Sequence, residues 1–166
     1  MGNEANCVEA YRLARRDFIA AVTQAGGDAI SRVHPAKGPD GKPLFCDSAA
    51  WGPRDAARGL LLVAGQDGAL TEFLRQRPIV PKGARLVAVH ALDPFSWAWG
   101  RTGAPSGWPQ NTLADIALED LSRVSALTML ALDDSVPPPL PRARVIFRSI
   151  KPGHGEQALR AAIAAL

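Results

Sequence analysis

Apolar positions recur along the chain with two periods, and the switches between them divide it into elements. From about Glu4 to Gln24, Val8, Tyr11, Leu13, Ala14, Phe18, Ile19 and Val22 fall mostly on one side at helical spacing. Asn3 is placed to cap this helix and Gly26-Gly27 to stop it. Asp28 to His34 alternates (Ile30, Val33), and Leu44 to Ala49 answers it across Pro39-Asp40-Gly41. Proline presets one turn angle there and glycine supplies the positive one, so the two segments predict a hairpin. Its prolines place it at a sheet edge. Two continuous apolar runs, Leu60 to Ala64 and Arg85 to His90, flank a helical pattern from Ala69 to Gln76. They predict a βαβ unit, and the chain is organised around this stretch from Gly59 to Trp99. Ligands gather at the carboxyl ends of strands in such units.

Beyond Trp99, the Gly- and Pro-rich segment from Gly100 to Pro109 reads as a loop on the rim of a pocket. Asn111 or Thr112 then caps a helix expected to run to about Leu132, with Leu113, Ile116, Ala117, Leu121, Val124, Leu127 and Leu130 as its buried stripe. Asp133-Asp134-Ser135 closes it, and 136–141 is an extended connector. Ala143 to Ile150 reads as a further parallel strand, and Pro152-Gly153-His154-Gly155 turns into a last helix carrying Leu159, Ile163 and Leu166. The order α-β-β-β-α-β-α-β-α predicts an α/β protein: a three-layer α/β/α sandwich whose mixed sheet has an antiparallel edge hairpin and parallel central strands.

Composition narrows the class more than the chemistry. A chain of 166 residues, 47% hydrophobic, supports one well-buried core. The 19 basic and 16 acidic residues nearly cancel. No Lys/Arg cluster alternates with aromatics, so nucleic acid is not an expected partner, and Arg12, Arg15 and Arg16 read as a solvated helix face. No run approaches a membrane span, and the first residues lack the order of a secretion signal. The expectation is a soluble cytoplasmic protein with no membrane partner. Cys7 and Cys46 have neither CxxC spacing nor a neighbouring His pattern, so neither suggests zinc.

The candidate pocket residues cluster where the βαβ unit would place a crevice: Gln66, Asp67, Glu72, His90, Asp93, Arg101 and Trp108. His90 ends a central strand, where it either contacts a ligand or hydrogen-bonds the adjacent loop; the second role is the expected one. Asp93, before Pro94, caps a turn. Asp67 opens a helix, where a carboxylate offsets the dipole, so capping is favoured over metal binding. Arg101 can meet an anionic group. Trp99 is assigned to the core, and Trp108 to a loop covering a pocket or a partner surface. No Gly-x-Ser-x-Gly elbow, phosphate loop or dinucleotide fingerprint is present.

The run from about Tyr11 to Arg101 resembles a bacterial zinc-carboxypeptidase-like family of mostly unassigned function. The matching features are the first helix, His34-Pro35, Gly38-Pro39-Asp40-Gly41-Lys42-Pro43-Leu44, Asp47, Gly52-Pro53, Asp55-Ala56, the strand Leu60 to Val63, and His90-Ala91-Leu92-Asp93-Pro94 followed by Phe95, Ala98 and Trp99. The resemblance implies a zinc peptidase scaffold whose two ligands come from a Gly-x-His-Gly-x-Glu stretch after the third strand. This chain has Gly65-Gln66-Asp67-Gly68-Ala69-Leu70 there, so the His position is Asp67 and the Glu position is Leu70. Glu72 falls two residues too late. The family's Asn-x-Asp-x-Asn-Arg segment is missing from Trp108 to Asp115, and His154 is the only later histidine.

These departures imply a short, degenerate member of the family over residues 1–166: no metal, no cofactor, and a binding or interaction role toward a small ligand or protein partner. Self-association is a further expectation. The alternative is a metal-dependent hydrolase of peptides or amides with a rearranged site using Asp67, Glu72 and His90, the one reading that calls for zinc.

Overall fold

The computed structural model describes residues 2–64, 66, 68–101, 107–131, 140, 143–147 and 155–166. Among these residues, five helices and six strands follow the order α1 (Gly2–Gln24), β1 (Ile30–Lys37), β2 (Pro43–Trp51), β3 (Arg58–Val63), α2 (Ala69–Arg75), β4 (Ala84–His90), α3 (Pro94–Trp99), α4 (Trp108–Leu121), β5 (Ala126–Ala131), β6 (Arg144–Phe147) and α5 (Gly155–Ala164). The strands form one sheet in the order β1-β2-β4-β3-β5-β6. β1 and β2 are antiparallel, as are β2 and β4; the β4/β3, β3/β5 and β5/β6 pairs are parallel. This is the mixed sheet with an antiparallel edge hairpin that the sequence predicts.

Alternation along the central strands divides the core into two layers. Leu60, Leu62, Ala64, Leu86, Ala88 and Leu130 pack with Phe18 and Val22 of α1, Phe73 and Leu74 of α2 and Leu159 of α5. Leu61, Val63, Val87, Val89 and Met129 face the other way, onto Leu113, Ile116 and Leu121 of α4. Covered on both faces, β4 is buried at every position, which is why its sequence reads as a continuous run rather than an alternation.

The expected long helix from residue 111 to 132 is two elements. Leu121, Val124, Leu127 and Leu130 recur every third residue and imitate a helical stripe, but α4 stops at Leu121 and Ala126–Ala131 is the strand beside β3. Leu127, Met129 and Ala131 alternate on one face of the sheet, a period of two hidden under a period of three. Val124, between the two elements, is fully buried over Gly59; a Cβ at Gly59 would lie 2.8 Å from the valine methyl carbon. Three smaller corrections accompany this one. Asn3 lies inside α1, not before it. β1 continues through Pro35 to Lys37, with an irregular register between Val33 and Lys37 that absorbs the proline at the edge. Pro94–Trp99 is a short helix that the sequence reading lacked. The expected connector falls largely outside the described residues.

Arg12 and Arg15 are structural, not a solvated face. Arg12 forks onto Asp40 at 3.0 and 3.1 Å and donates to the Pro43 carbonyl, holding the Asp40 carboxyl below the usual carboxylate range. Arg15 reaches the second hairpin strand; Arg16 stays exposed. Both cysteines are free thiols. Burial pushes the Cys46 thiol well above its ordinary value, so it is inert packing.

On the α4 face, Arg85 and Asp120 form a buried ion pair at 2.6 Å, and the same guanidinium binds the Asp120 and Gly52 carbonyls. Every side of the charge is satisfied. Arg85→Met leaves the Asp120 carboxylate buried without its cation, which should cost about 3–5 kcal/mol. For a chain of this size Tm should fall by about 10 °C. Arg85→Met combined with Asp120→Leu should recover most of that loss in a thermal melt; no recovery would mean that the carbonyl contacts, not the pair, carry the stabilisation.

Candidate binding pocket at the carboxyl end of β4

The site is built from the last residue of β4 outward. His90 ends the strand at 3% exposure, and Ala91 follows at φ +54°, a left-handed conformation unusual for a side-chain-bearing residue. That twist turns the chain out of the sheet and into α3. Asp93 caps α3, accepting from the Ser96 amide at 2.9 Å, and Pro94 occupies the first turn. Gly100 closes the helix at φ +61°. A Cβ at Gly100 would lie 2.7 Å from Cys7 Sγ, so both the turn and the approach of α1 require glycine there.

α1 is held over this end by polar contacts at its inner face. Asp47 in β2 is fully buried; its carboxylate accepts from Arg15 Nε at 2.8 Å, from Arg15 Nη2 at 3.1 Å and from Ser31 Oγ at 2.5 Å. The Arg15 guanidinium also lies 4.1 Å from the Phe45 ring centroid. The Tyr11 hydroxyl donates to the Phe45 carbonyl and accepts from the Phe45 amide, and burial pushes its pKa up to about 12.

His90 pairs with Asp47 in the β2/β4 register and stacks on Phe18 at 4.7 Å, 5.4 Å from the Trp97 ring. Its Nδ1 is buried with no hydrogen-bond partner among the described residues. The hydrogen bond to the adjacent loop that the sequence predicts is not made by Nδ1; the ring packs instead as an aromatic core residue. Burial lowers its pKa to about 4, against a smaller upward effect of Asp47.

His34 occupies a second buried position, 4.6 Å from Trp108 and 5.8 Å from Phe95 by ring centroids. Its Nδ1 accepts from the Ala36 amide at 3.0 Å while Nε2 has no partner among the described residues. Burial lowers its pKa as well. Trp108 is thus half-buried packing at the start of α4, not a free cover. Trp97, not Trp99, is the core tryptophan of α3; Trp99 is half-buried and donates to the Lys37 carbonyl.

Between α1 and α3 lies an open pocket of about 470 Å³ lined by Asn6, Cys7, Ala10, Gln66, Ser96, Trp97, Gly100 and Arg101. The Arg101 guanidinium sits 4.7 Å from the Trp99 ring centroid and 5.7 Å from that of Phe95. Of the seven candidates from sequence, the structure brings Gln66 and Arg101 onto this one wall. Glu72 lies on the exposed side of α2, paired with Arg75 at 2.9 Å. Asp93 has the capping role expected of it. Asp67 and His154 lie outside the described residues; the residue preceding α2 is Gly68, with no side-chain cap. Asn6, Cys7 and Ser96 were missed because nothing local marks a helix's first turns as the wall of a distant strand's crevice.

Asp67 aside, which lies outside the described residues, the positions after β3 named for zinc offer no free ligand. Leu70 has no donor and is buried in the core, Glu72 is taken by Arg75, and no group of three His, Cys, Asp or Glu residues is placed to hold a metal among the described residues.

A family model described as "Protein of unknown function (DUF2817)" matches residues 8–105. The chain belongs to this family. The match runs from the second turn of α1 to just beyond α3, and it takes in His90 with its aromatic neighbours Phe18 and Trp97 and the pocket residues Ala10, Gln66, Ser96, Gly100 and Arg101 of this DUF2817 protein. Among curated proteins, none matches the chain. The solved structures it is similar to include the glutaminyl cyclase of Porphyromonas gingivalis (14% identity, TM-score 0.46, 74% of this chain and 58% of that one). A Zn-dependent exopeptidase from Parabacteroides distasonis gives 14% identity and a TM-score of 0.45, over 78% of this chain and 59% of that one. Macrostomum lignano glutaminyl cyclase gives 14% identity and 0.47, over 74% and 45%. The chain therefore spans about half to three-fifths of these proteins' lengths. At such scores the likenesses assign neither substrate nor chemistry, and none of the three is described as a carboxypeptidase.

The buried histidines generate a pH dependence. A pKa of about 4 for folded His90 against about 6.5 unfolded means that the unfolded chain binds the extra proton between these values. Stability is full above about pH 6.5 and is lost as pH falls toward 4, by roughly 3 kcal/mol at most. His34 adds loss of the same sign. In urea titrations at intervals from neutral to about pH 4, His90→Phe, which retains the stack on Phe18, should flatten the slope; an unchanged slope would show that His90 is not the group titrating.

Proposed function

We propose that this DUF2817 protein is a non-catalytic binding protein that holds a small anionic ligand in the pocket between α1 and α3. The observation that carries the reading is the charge of the wall: among the described residues Arg101 is its one ionic lining residue, with Asn6, Gln66 and Ser96 around it as hydrogen-bonding groups. A carboxylate suits this set, because a guanidinium meets its two oxygens in a planar fork. Stacking against Trp99 and Phe95 keeps the cation near the pocket mouth with few conformers to lose on binding. The acidic residues support the same reading: Asp47 and Asp93 near the end of β4, and Glu72 on α2, are each occupied by a cation or an amide.

The alternative hydrolase would need Asp67, Glu72 and His90 around one metal. Glu72 is exposed on α2 beside Arg75, whereas His90 is enclosed by Phe18 and Trp97.

Thermal-shift and calorimetric screening with a panel of small mono- and dicarboxylates should find a ligand that raises Tm. Arg101→Ala should weaken it by about tenfold or more, as loss of a charge-assisted hydrogen bond does. An equal shift in wild type and Arg101→Ala would remove the pocket assignment. Metal analysis of protein purified without chelators separates the two readings: one tightly held zinc per chain would overturn the non-catalytic one.

A further inference from the structure

The opposite end of the sheet carries a charge distribution that the pocket does not explain. At the amino ends of β3, β4 and β5 the chain passes through three connections: 52–57, 76–83 and 122–125. Arg54, Lys82 and Arg123 stand on them, and Arg58 begins β3; all four are exposed and have no ion-pair or hydrogen-bond partner among the described residues. Asp55 is the one carboxylate on these connections. Parallel register brings them together, since Arg58 lies opposite both Ala84 and Ala126, two residues after Lys82 and three after Arg123.

The pole is rigid. The Ala57 amide donates to the Gly83 carbonyl, the Ala126 amide to the Ala57 carbonyl, and the Ala84 amide to the Pro81 carbonyl. Arg85 ties the Gly52 carbonyl to the end of α4 beneath them. The fold therefore keeps the backbone that carries these charges at one end of the sheet. The 76–83 connection adds Ile79, 87% exposed between Pro78 and Pro81, and a further cation with no ion-pair partner among the described residues, Arg77.

We propose that this pole docks reversibly on an anionic bilayer surface, with Arg54, Arg58, Lys82 and Arg123 against the headgroups and Ile79 entering the interface. Cations plus an apolar residue supply the two contributions such binding needs, neither sufficient alone. A single-stranded nucleic acid would call for aromatic platforms among the cations, and these connections present an aliphatic residue instead, which a duplex's phosphates would not engage. Docked this way, the protein turns the pocket, at the carboxyl ends of the strands, toward the solvent.

Co-sedimentation of the full chain with vesicles tests this. Binding should occur on vesicles containing about one-third phosphatidylserine, should vanish on pure phosphatidylcholine, and should weaken steeply as salt rises from about 0.05 M to about 0.3 M. Arg54→Glu/Arg123→Glu should lower partitioning by roughly 25-fold or more, at about fivefold per cation lost. Arg16→Glu/Lys37→Glu makes the same change of net charge elsewhere and should stay within about twofold of wild type. Ile79→Ser should weaken binding severalfold with its salt dependence unchanged. A thermal melt matching wild type qualifies each variant, and Arg54→Gln/Arg123→Gln replaces a reversal that fails to fold. The proposal is overturned if both reversal variants lose binding equally, if anionic vesicles bind no protein, or if a short oligonucleotide displaces the vesicles and binds Ile79→Ser as tightly as wild type.

Discussion

The buried Asp47 carboxylate and the Arg15 guanidinium that grips it decide how the upper half of the molecule is assembled. A carboxylate with no solvent exposure in a β-strand is tolerable only with its charge and lone pairs satisfied. Arg15 and Ser31 satisfy them, and each comes from a different element, α1 and β1. The contact therefore sets where α1 crosses the edge hairpin and pins the hairpin to the helix. With α1 placed there, Tyr11 reaches the Phe45 backbone, Phe18 covers His90, and Asn6, Cys7 and Ala10 face α3 across the pocket. Arg12 repeats the device at the hairpin turn through Asp40.

This arrangement gives the strand end an architectural role. In an open α/β sheet the residues after the central strands usually meet the ligand. Here His90 is sealed beneath two helices, and the backbone at Ala91 adopts a left-handed turn costing about 1 kcal/mol or more, which directs Trp97 back over the histidine. The polar groups that could reach a ligand are displaced outward, onto the first turns of α1 and the end of α3. The crevice is kept while its floor is apolar and aromatic, so recognition falls to rim groups such as Arg101 and Gln66.

The legibility of these features in the sequence followed their physical range. β3, α2 and β4 were readable because continuous apolar runs and a helical period are local signals, and the hairpin because Pro-Asp-Gly dictates a turn. Asp93 was readable as a cap from its position before Pro94. The α4–β5 boundary was lost because leucines spaced by three fit a helix, and only a vacant place beside β3 makes the alternate residues a strand. The roles of Arg15, Asp47 and His34 were illegible for a related reason. A salt bridge across 32 positions of sequence, or a histidine boxed by Phe95 and Trp108, exists only once the layers have closed. His90 showed the reverse error: a polar residue at a favoured position was credited with a polar contact, yet stacking on Phe18 is what its burial supports.

The direction of the strands then accounts for the difference between the two ends of the molecule. β3, β4 and β5 run parallel, so all three begin at one pole and end at the other. The outgoing connections carry His90, Ala91 and Asp93 into a helix packed on α1, and the space left between those helices is the pocket. The incoming connections must turn sharply from α2 and α4 into buried strands. Backbone hydrogen bonds among residues 57, 81, 83, 84 and 126 accompany these turns; Ala56 and Val124 turn inward, and the cationic side chains stay exposed. Arg58, Lys82 and Arg123 are brought to one end of the sheet by that geometry, with no ion-pair partner among the described residues. Their mutual repulsion is relieved only by salt or by a negatively charged surface. The same topology that closes one pole around a ligand therefore leaves the other pole electrostatically incomplete.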